Sequence, residues 1–175
     1  KAIDYFGIKV KNKTCIDIGA STGGFTDCLL RTGAKRVYSI DVGYGQLDYK
    51  LRNDYRVINM ENTNARYIST DFIDLHHDII VMDVSFISIT KFGDFFKKFT
   101  TNNNEYVGLI KPQFELSKEK IGKNGVVKNS QYRHEAVGNV SLFLKNFYNF
   151  VSKTIESPIK GSKGNTEYLI YCRNS

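Results

Sequence analysis

The chain has 175 residues, 41% hydrophobic and 25% charged, which predicts one globular domain with a sizeable core. No apolar run approaches the roughly 18 residues of a transmembrane helix, and no signal peptide is recognisable. Three cysteines, Cys15, Cys28 and Cys172, lie far apart without a C-x-x-C pair, which argues against a zinc site or a disulfide framework. We therefore expect a cytoplasmic protein without a metal site. The first residue is Lys1 rather than Met, which indicates a fragment or a trimmed chain.

The net charge of +7 is unevenly distributed along the chain. Residues 1–110 carry a net charge of +1, whereas residues 111–175 carry +6, and much of the excess lies between residues 111 and 133. A clustered positive segment suits a phosphate backbone and so indicates a nucleic-acid partner. A solvated, lysine-rich surface explains the charge almost as well, and charge alone leaves both interpretations open.

Short apolar runs alternate with segments of helical spacing, which predicts a parallel α/β sheet with crossover helices. The predicted strands are 14–18, 36–41, 56–60, 78–83 and 106–110, and the predicted helices are 25–32, 46–53, 88–99 and 131–152. Four phenylalanines on one face of the 88–99 helix are expected in the core: Phe92, Phe95, Phe96 and Phe99. Two β-like runs, 154–157 and 167–172, flank the turn-rich segment 158–165 and predict a terminal hairpin.

The first strand runs into a small-residue turn, Gly19-Ala-Ser-Thr-Gly23-Gly24, and then into a helix, while the second strand ends at Asp41. This arrangement suits an adenosine-bearing cofactor. Glycines let the backbone approach the ligand, amides at the helix start receive polar groups, and the distal carboxylate receives ribose hydroxyls. The alternative is a tight turn between strand and helix that binds nothing.

The spacing of this turn favours S-adenosylmethionine over other nucleotide cofactors. Ser21 stands where the dinucleotide motif G-x-G-x-x-G needs its second glycine, which disfavours an NAD-dependent dehydrogenase, and no Gly-Lys-Ser/Thr follows for a P-loop. S-adenosylmethionine carries no phosphate and needs only the glycine turn and the acid. The predicted cofactor-binding residues are Asp17, Gly19, Ala20, Ser21, Thr22, Gly23, Gly24, Phe25, Asp41, Val42, Gln46, Glu61, Asn62 and Asp83.

Charged residues gather where the predicted strands end, which is the ligand-binding edge of an open α/β sheet: Asp17, Asp41, Glu61, Asp83 and Lys111. The segment after the fourth strand contains no proline, unlike the motif of nucleobase amino-methyltransferases. No cysteine follows a proline, as a cytosine C5 mechanism requires. A lysine and an acid at adjacent strand ends suit transfer to a hydroxyl, which must be positioned and must lose its proton.

Six ordered blocks of sequence now support a family resemblance that extends from about residue 6 to residue 173. They are residues 17–25, 41–47, 62–66, 83–88, 111–115 and 157–167. The chain resembles the hemolysin A (TlyA) type of FtsJ-like ribosomal RNA ribose methyltransferase. The resemblance implies a Rossmann-like S-adenosylmethionine-dependent methyltransferase fold, with a seven-stranded, mostly parallel sheet and one antiparallel strand. It also implies 2′-O-methylation of ribosomal RNA by a Lys-Asp-Lys-Glu tetrad.

Asp83, Lys111 and Glu167 match the last three members of that tetrad. The first lysine of the family motif lies just upstream of Ala2, and Lys1 aligns after it, so the resemblance assigns no residue here to that role. Residues 1–175 correspond to the methyltransferase domain, and the family's N-terminal S4-like RNA-binding domain has no counterpart in them. Whether this chain transfers methyl groups alone therefore stays open, as does the oligomeric state.

Two further questions stay open at this stage. Lys111 either takes the proton of the hydroxyl or acts by positioning and electrostatics. The competing functions are a membrane-active cytolysin, for which residues 131–152 are the best amphipathic candidate, and a module that binds RNA or S-adenosylmethionine without catalysis.

Overall fold

The structure is a computed structural model, and it describes residues 1–73 and 76–174. The strands are β1 (Thr14–Ile18), β2 (Arg36–Ile40), β3 (Val57–Met60), β4 (Ile79–Met82), β5 (Glu105–Ile110), β6 (Phe150–Val151), β7 (Ile155–Glu156) and β8 (Tyr168–Arg173). The α-helices are α1 (Ala2–Phe6), α2 (Gly24–Arg31), α3 (Tyr49–Arg52), α4 (Gly93–Phe99), α5 (Pro112–Glu115) and α6 (Ser130–Leu144). Short 3₁₀ turns lie at Ala65–Tyr67, Thr70–Phe72, Ile89–Phe92, Lys118–Lys120 and Ser162–Gly164.

The strands form one sheet in the order β3-β2-β1-β4-β5-β8-β6, with β7 also paired to β8. The first five strands of this order are parallel, and β8 runs antiparallel to its neighbours. The α/β fold with a mostly parallel sheet is therefore confirmed. The sequence predicts seven strands, whereas residues 1–73 and 76–174 form eight, because the outermost position of the sheet is divided between the two-residue strands β6 and β7.

Two apolar layers hold this sheet between its helices. One face packs against α4, α6 and the 3₁₀ turns Ala65–Tyr67 and Ile89–Phe92, and it contains the predicted phenylalanine stripe, whose four members are fully or almost fully buried. The other face packs against α1 and α2 through residues such as Cys15, Val37 and Ile79. This alternation follows from the pleat of a strand, which points successive side chains to opposite faces.

Two predicted helices are longer in the sequence pattern than in the structure. The 131–152 helix ends at Leu144, because the chain turns there: the Asn146 side chain and backbone both donate to the Phe143 carbonyl. Phe147 and Val151 pack on the core although they lie beyond the end of the helix. Their apolar side chains therefore match a helical spacing in the sequence without belonging to the helix. Of the predicted 46–53 helix, the structure forms only the four residues of α3. The Asp48 side chain accepts a hydrogen bond from the Lys50 backbone amide and so caps a helix that begins at Tyr49.

The terminal hairpin is confirmed, since Ile155 and Glu156 of β7 face Leu169 and Tyr168 of β8. Each of the seven predicted strands lies within one residue of its observed bounds at either end. Across residues 1–73 and 76–174, no helix has both the length and the apolar character needed to cross a bilayer.

Candidate active site at the carboxyl ends of the strands

The loop after β1 brings its backbone against the loop after β4. Gly19 has φ +80, and a Cβ there would overlap the backbone carbonyl of Asp83. Only glycine both adopts that conformation freely and leaves that space. Below the loop, Asp17 is completely buried and accepts a hydrogen bond from the Thr26 hydroxyl at 2.7 Å. Burial raises the pKa of Asp17 to about 7, with the nearby carboxylates of Asp83 and Asp41 acting in the same direction.

Asp41 ties the loop after β1 to the loop after β2. Its two carboxylate oxygens accept the Ser21 amide at 2.8 Å and the Gly43 amide at 2.7 Å. Ser21 has φ +48, a conformation that non-glycine residues rarely adopt, and the hydrogen bond to Asp41 helps to hold it there. Each carboxylate oxygen keeps lone-pair capacity toward the adjoining cavity, which Asp41 also lines.

A cavity of about 470 Å³ opens above these loops, a size typical of a small-molecule site. Of the predicted cofactor-binding residues, the ones that line it are Gly19, Ser21, Asp41, Val42, Gln46 and Asp83. The structure brings these six residues together. Their contact with a cofactor stays a prediction.

The other predicted cofactor residues lie beside or beneath this cavity. Glu61 accepts the Gln46 amide at 3.1 Å and pairs with Arg52 at 3.0 Å, so it supports the loop after β2. Asn62, with φ +51, donates its backbone amide to the Gly43 carbonyl. Five more are distributed around the helix start: Ala20 is buried, Thr22 is exposed, Gly23 lies against leucine side chains, and Gly24 and Phe25 line a second cavity.

Several residues that line the cavity are absent from the predicted cofactor-binding set. They are Ile18, Ile40, Thr63, Asn64, Ala65, Arg66, Val84, Ser85, Phe86, Ile87 and Phe92. Two of the sequence blocks that carry the family resemblance, 62–66 and 83–88, contain eight of them, so the blocks already indicated this part of the cavity wall. Asn64 illustrates the local cause, because its side chain accepts the Arg66 amide at 3.2 Å and caps a 3₁₀ turn that forms one wall.

The predicted catalytic residues lie together at the ends of β4, β5 and β8. Lys111 Nζ lies 2.5 Å from Asp83 Oδ1 as an ion pair without the angle of a hydrogen bond, and it donates to Ser85 Oγ at 2.8 Å. Glu167 is buried and accepts from Gln113 Nε2 at 3.1 Å. Burial raises the pKa of Glu167, the Gln113 hydrogen bond and the charge of Lys111 oppose that rise, and the charge of Asp83 adds to it.

A second carboxylate fastens the β5 loop to the β4 loop. Glu115 accepts the Ile89 amide at 2.9 Å and the Ser88 hydroxyl at 2.5 Å, which places a negative charge at the start of the 3₁₀ turn leading into α4. Burial raises the pKa of Glu115, and these two hydrogen bonds act against the rise. The loop between Asp83 and Ser88 is therefore held at both ends by residues that follow β5.

Phe86, within that loop, is 90% exposed and has φ +64. Such a conformation is rare and strained for a bulky aromatic residue, and strain of this kind concentrates at functional sites. Its ring packs on Phe114, with centroids 5.0 Å apart and planes at 48°. Phe86 lines the cavity three residues after Asp83, so the pair forms an aromatic surface at the rim of the cavity.

A family model described as FtsJ-like methyltransferase matches residues 1–174. The chain belongs to this family. Hemolysin A of Brachyspira hyodysenteriae is 50% identical over 173 residues, which are 98% of this chain and 72% of that protein. The 16S/23S rRNA (cytidine-2′-O)-methyltransferase TlyA of Mycobacterium tuberculosis is 40% identical over 172 residues, which are 98% of this chain and 64% of that protein. The chain thus spans about two thirds of the length of these relatives.

Solved structures agree with this family. The crystal structure of a hemolysin-named protein from Lactococcus lactis has a TM-score of 0.92 at 37% identity and covers 99% of this chain and 84% of that chain. An S-adenosylmethionine-dependent methyltransferase from Listeria monocytogenes, at 16% identity and TM-score 0.68, shares the fold. The expected family, the methyltransferase class and the cofactor S-adenosylmethionine are confirmed.

The cavity of this FtsJ-like chain fits that cofactor on its own chemistry. Gly19 lets the loop after β1 lie directly against the backbone of Asp83, so that both residues border the same cavity. The carboxylate of Asp41 reaches the cavity beside apolar Ile18, Ile40 and Val42, which suits a sugar with a flat ring next to it. Asp41 and Asp83 line a site that would receive a cationic sulfonium, and Asp17 lies buried beneath it.

Proposed function

We propose that this chain is the catalytic domain of an S-adenosylmethionine-dependent enzyme that methylates the 2′-oxygen of ribose in ribosomal RNA, in the cytoplasm where ribosomes lie. The observation that carries the proposal is the contact of Lys111 with Asp83, which lines the cavity, with the buried carboxylate of Glu167 close enough to feel both charges. This set of groups can hold a hydroxyl and accommodate its proton, and an in-line transfer of the methyl group needs no covalent intermediate.

S-adenosylmethionine, when bound, supplies a methyl group on a cationic sulfur. The protein's part is to place the ribose oxygen and to manage its proton. Lys111 already contacts two oxygens, those of Asp83 and Ser85, and its third N–H direction is available to the ribose 2′-oxygen. The Asp83 carboxylate beside it accepts the hydroxyl proton as the new bond to carbon forms. Glu167, held by Gln113, adds a carboxyl group whose charge acts on Lys111 and Asp83.

The nature of the acceptor rests on three observations. The M. tuberculosis relative and a Campylobacter jejuni relative, 36% identical over 166 residues, are named rRNA (cytidine-2′-O)-methyltransferases. In this chain the excess positive charge lies after residue 110, in the part of the sequence that also contains Lys111 and Glu167. The exposed ring of Phe86, which packs on the half-buried Phe114, gives a nucleobase a face to stack on while its ribose lies over Lys111.

Two measurements on the full-length protein test this proposal. Titration calorimetry with S-adenosylmethionine measures cofactor binding. Incubation with tritium-labelled cofactor and purified ribosomal subunits, followed by nuclease digestion and mass spectrometry, measures 2′-O-methyl nucleosides. We expect binding together with label in one or a few ribose positions. Binding without any labelled ribose, or label on a base, would contradict the proposal.

A further inference from the structure

We propose that the segment 118–128 and the hairpin loop 160–164 form a single surface that binds RNA phosphates beside the active site, and that Asn165 holds the two loops together. This inference rests on the function proposed above and extends it to the surface that receives the substrate. We call the two loops together the basic clamp.

Asn165 is almost completely buried and makes contacts to both loops. Its side-chain oxygen accepts the Val127 amide at 3.0 Å, and its side-chain nitrogen donates to the carbonyls of Gly125 at 2.8 Å and Ser162 at 3.1 Å. Its backbone oxygen accepts the Gly161 amide at 2.8 Å. Neither loop belongs to a strand of the sheet, so the hydrogen bonds of the Asn165 side chain fix the position of one loop relative to the other.

The lysines of the basic clamp are exposed and largely unneutralised. Four of them have exposed side chains and no ion pair with any residue that the structure describes: Lys118, Lys123, Lys128 and Lys163. By contrast, Lys120 pairs with Glu135 at 2.5 Å and Lys160 with Glu156 at 2.5 Å, contacts that anchor the loops to α6 and β7. Lysines left without partners on ordered loops suit a phosphate backbone, because phosphate contacts position RNA without reading its sequence.

The basic clamp also lies against the catalytic cluster. Gly161 packs so closely on the Glu167 carboxylate that a Cβ at position 161 would overlap Oε1. Glu167 in turn accepts from Gln113, two residues beyond Lys111. Phosphates held by the basic clamp are therefore next to the groups that face the ribose. Asn165 is a positioning residue in this arrangement, since its own contacts are all to protein.

The test compares two triple variants of the full-length protein that remove the same charge. Lys118→Gln/Lys123→Gln/Lys163→Gln removes three lysines of the basic clamp. Lys9→Gln/Lys11→Gln/Lys35→Gln removes three exposed lysines near the amino ends of β1 and β2, at the opposite edge of the sheet. Binding to purified ribosomal subunits is measured by filter binding at several salt concentrations, with S-adenosylmethionine binding as a check on folding.

Each lost phosphate contact lowers the slope of log affinity against log salt by about 0.7 to 0.9. We therefore expect the clamp variant to lose about two units of slope, and the opposite-edge variant to keep the wild-type slope. Asn165→Ala is expected to reduce the slope as well while cofactor binding is retained, which a purely structural loss would not produce.

The outcomes separate the two ideas. If the wild type methylates ribosomal RNA but both triple variants keep the same salt slope, the basic clamp is only a solvated surface and this inference is wrong. If Asn165→Ala binds cofactor and keeps the wild-type slope, its role in the clamp is wrong. If the wild type binds cofactor but transfers no methyl group to RNA, the proposed function itself fails.

Discussion

Lys111 donates a hydrogen bond to the hydroxyl of Ser85 at 2.8 Å, across the gap between the end of β5 and the loop after β4. The same amine forms the ion pair with Asp83. Parallel neighbouring strands bring these residues together, because β4 and β5 pair in register with Met82 opposite Gly108. A lysine with two protein oxygens as partners is held in one orientation, which is what a group that positions a ribose oxygen requires.

We expect Lys111→Ala to abolish methyl transfer while S-adenosylmethionine binding survives, because Lys111 contacts Asp83 and Ser85 but does not line the cofactor cavity. Loss of a positioned proton-transfer or electrostatic group lowers the rate by about 100-fold or more. Single-turnover transfer to ribosomal subunits, with calorimetry for the cofactor, measures both effects. Lys97→Ala, on the exposed side of α4, is the control and should match the wild type. Retained transfer in Lys111→Ala would remove this lysine from the mechanism.

Phe86→Ala is expected to weaken RNA binding without unfolding the protein. The ring is exposed and the backbone is strained at φ +64, so its removal takes little from the core. A stacked base contributes about 1–3 kcal/mol, and we therefore expect KM for RNA to rise by roughly 5- to 150-fold. Steady-state methylation of ribosomal subunits at varied RNA concentration measures the change.

Tyr55→Ala supplies the matched control for Phe86, since Tyr55 is 93% exposed but precedes β3 and is not among the residues that line either cavity. An equal rise of KM in both variants would show that general loss of surface aromatics, and not a base-stacking position, explains the effect.

Gly19→Ala is expected to abolish cofactor binding and to destabilise the fold. Gly45→Ala is expected to lower the free energy of unfolding only by the backbone strain of its conformation. Both glycines have positive φ, +80 and +68, but only at position 19 does a Cβ meet backbone, the carbonyl of Asp83. The strain common to both is about 1–2 kcal/mol. Urea unfolding and calorimetry with S-adenosylmethionine compare the two variants. Equal losses in both would mean that the close approach to Asp83 has no consequence.

The sequence predicted the strands and the charged residues at their ends well, since both follow from local patterns. Apolar runs of Ile and Val predicted the strands to within a residue. Because parallel strands share one ligand-binding edge, the pairing of Asp83 with Lys111 followed from strand order alone.

Helix ends and cavity walls depend on contacts that local patterns do not contain. The spacing of Phe147 and Val151 extended the last predicted helix, although Asn146 ends it and those side chains reach the core from a loop and β6. Glu61 sits at a strand end like Asp41, but its carboxylate faces Arg52 and the Gln46 amide. The clamp role of Asn165 depends on Gly125 and Val127, some 40 residues away, and no spacing rule connects them.

The free energy of unfolding is expected to depend on pH through the buried carboxyl of Asp17. Burial raises its pKa from the ordinary 3.8 to about 7 in the folded protein, so the folded state keeps a proton that the unfolded state has lost between those values. The contribution of Asp17 to the free energy of unfolding is therefore fully present below pH 3.8 and is lost as the pH rises toward 7. Each pKa unit corresponds to about 1.4 kcal/mol, which sets an upper limit on the order of 4 kcal/mol for the loss.

Asp17→Asn removes this titration while keeping the shape of the side chain and an oxygen for the Thr26 hydroxyl. We expect the free energy of unfolding of the wild type to fall relative to the variant as pH rises from 4 to 8, because only the wild type must ionise a buried carboxyl. Urea denaturation at several pH values measures the difference in unfolding free energy between the two proteins. The other titrating groups are the same in both proteins, so their contributions cancel in this difference. Parallel pH curves for the two proteins would mean that Asp17 titrates alike in the folded and unfolded states, contrary to its burial beneath the glycine turn.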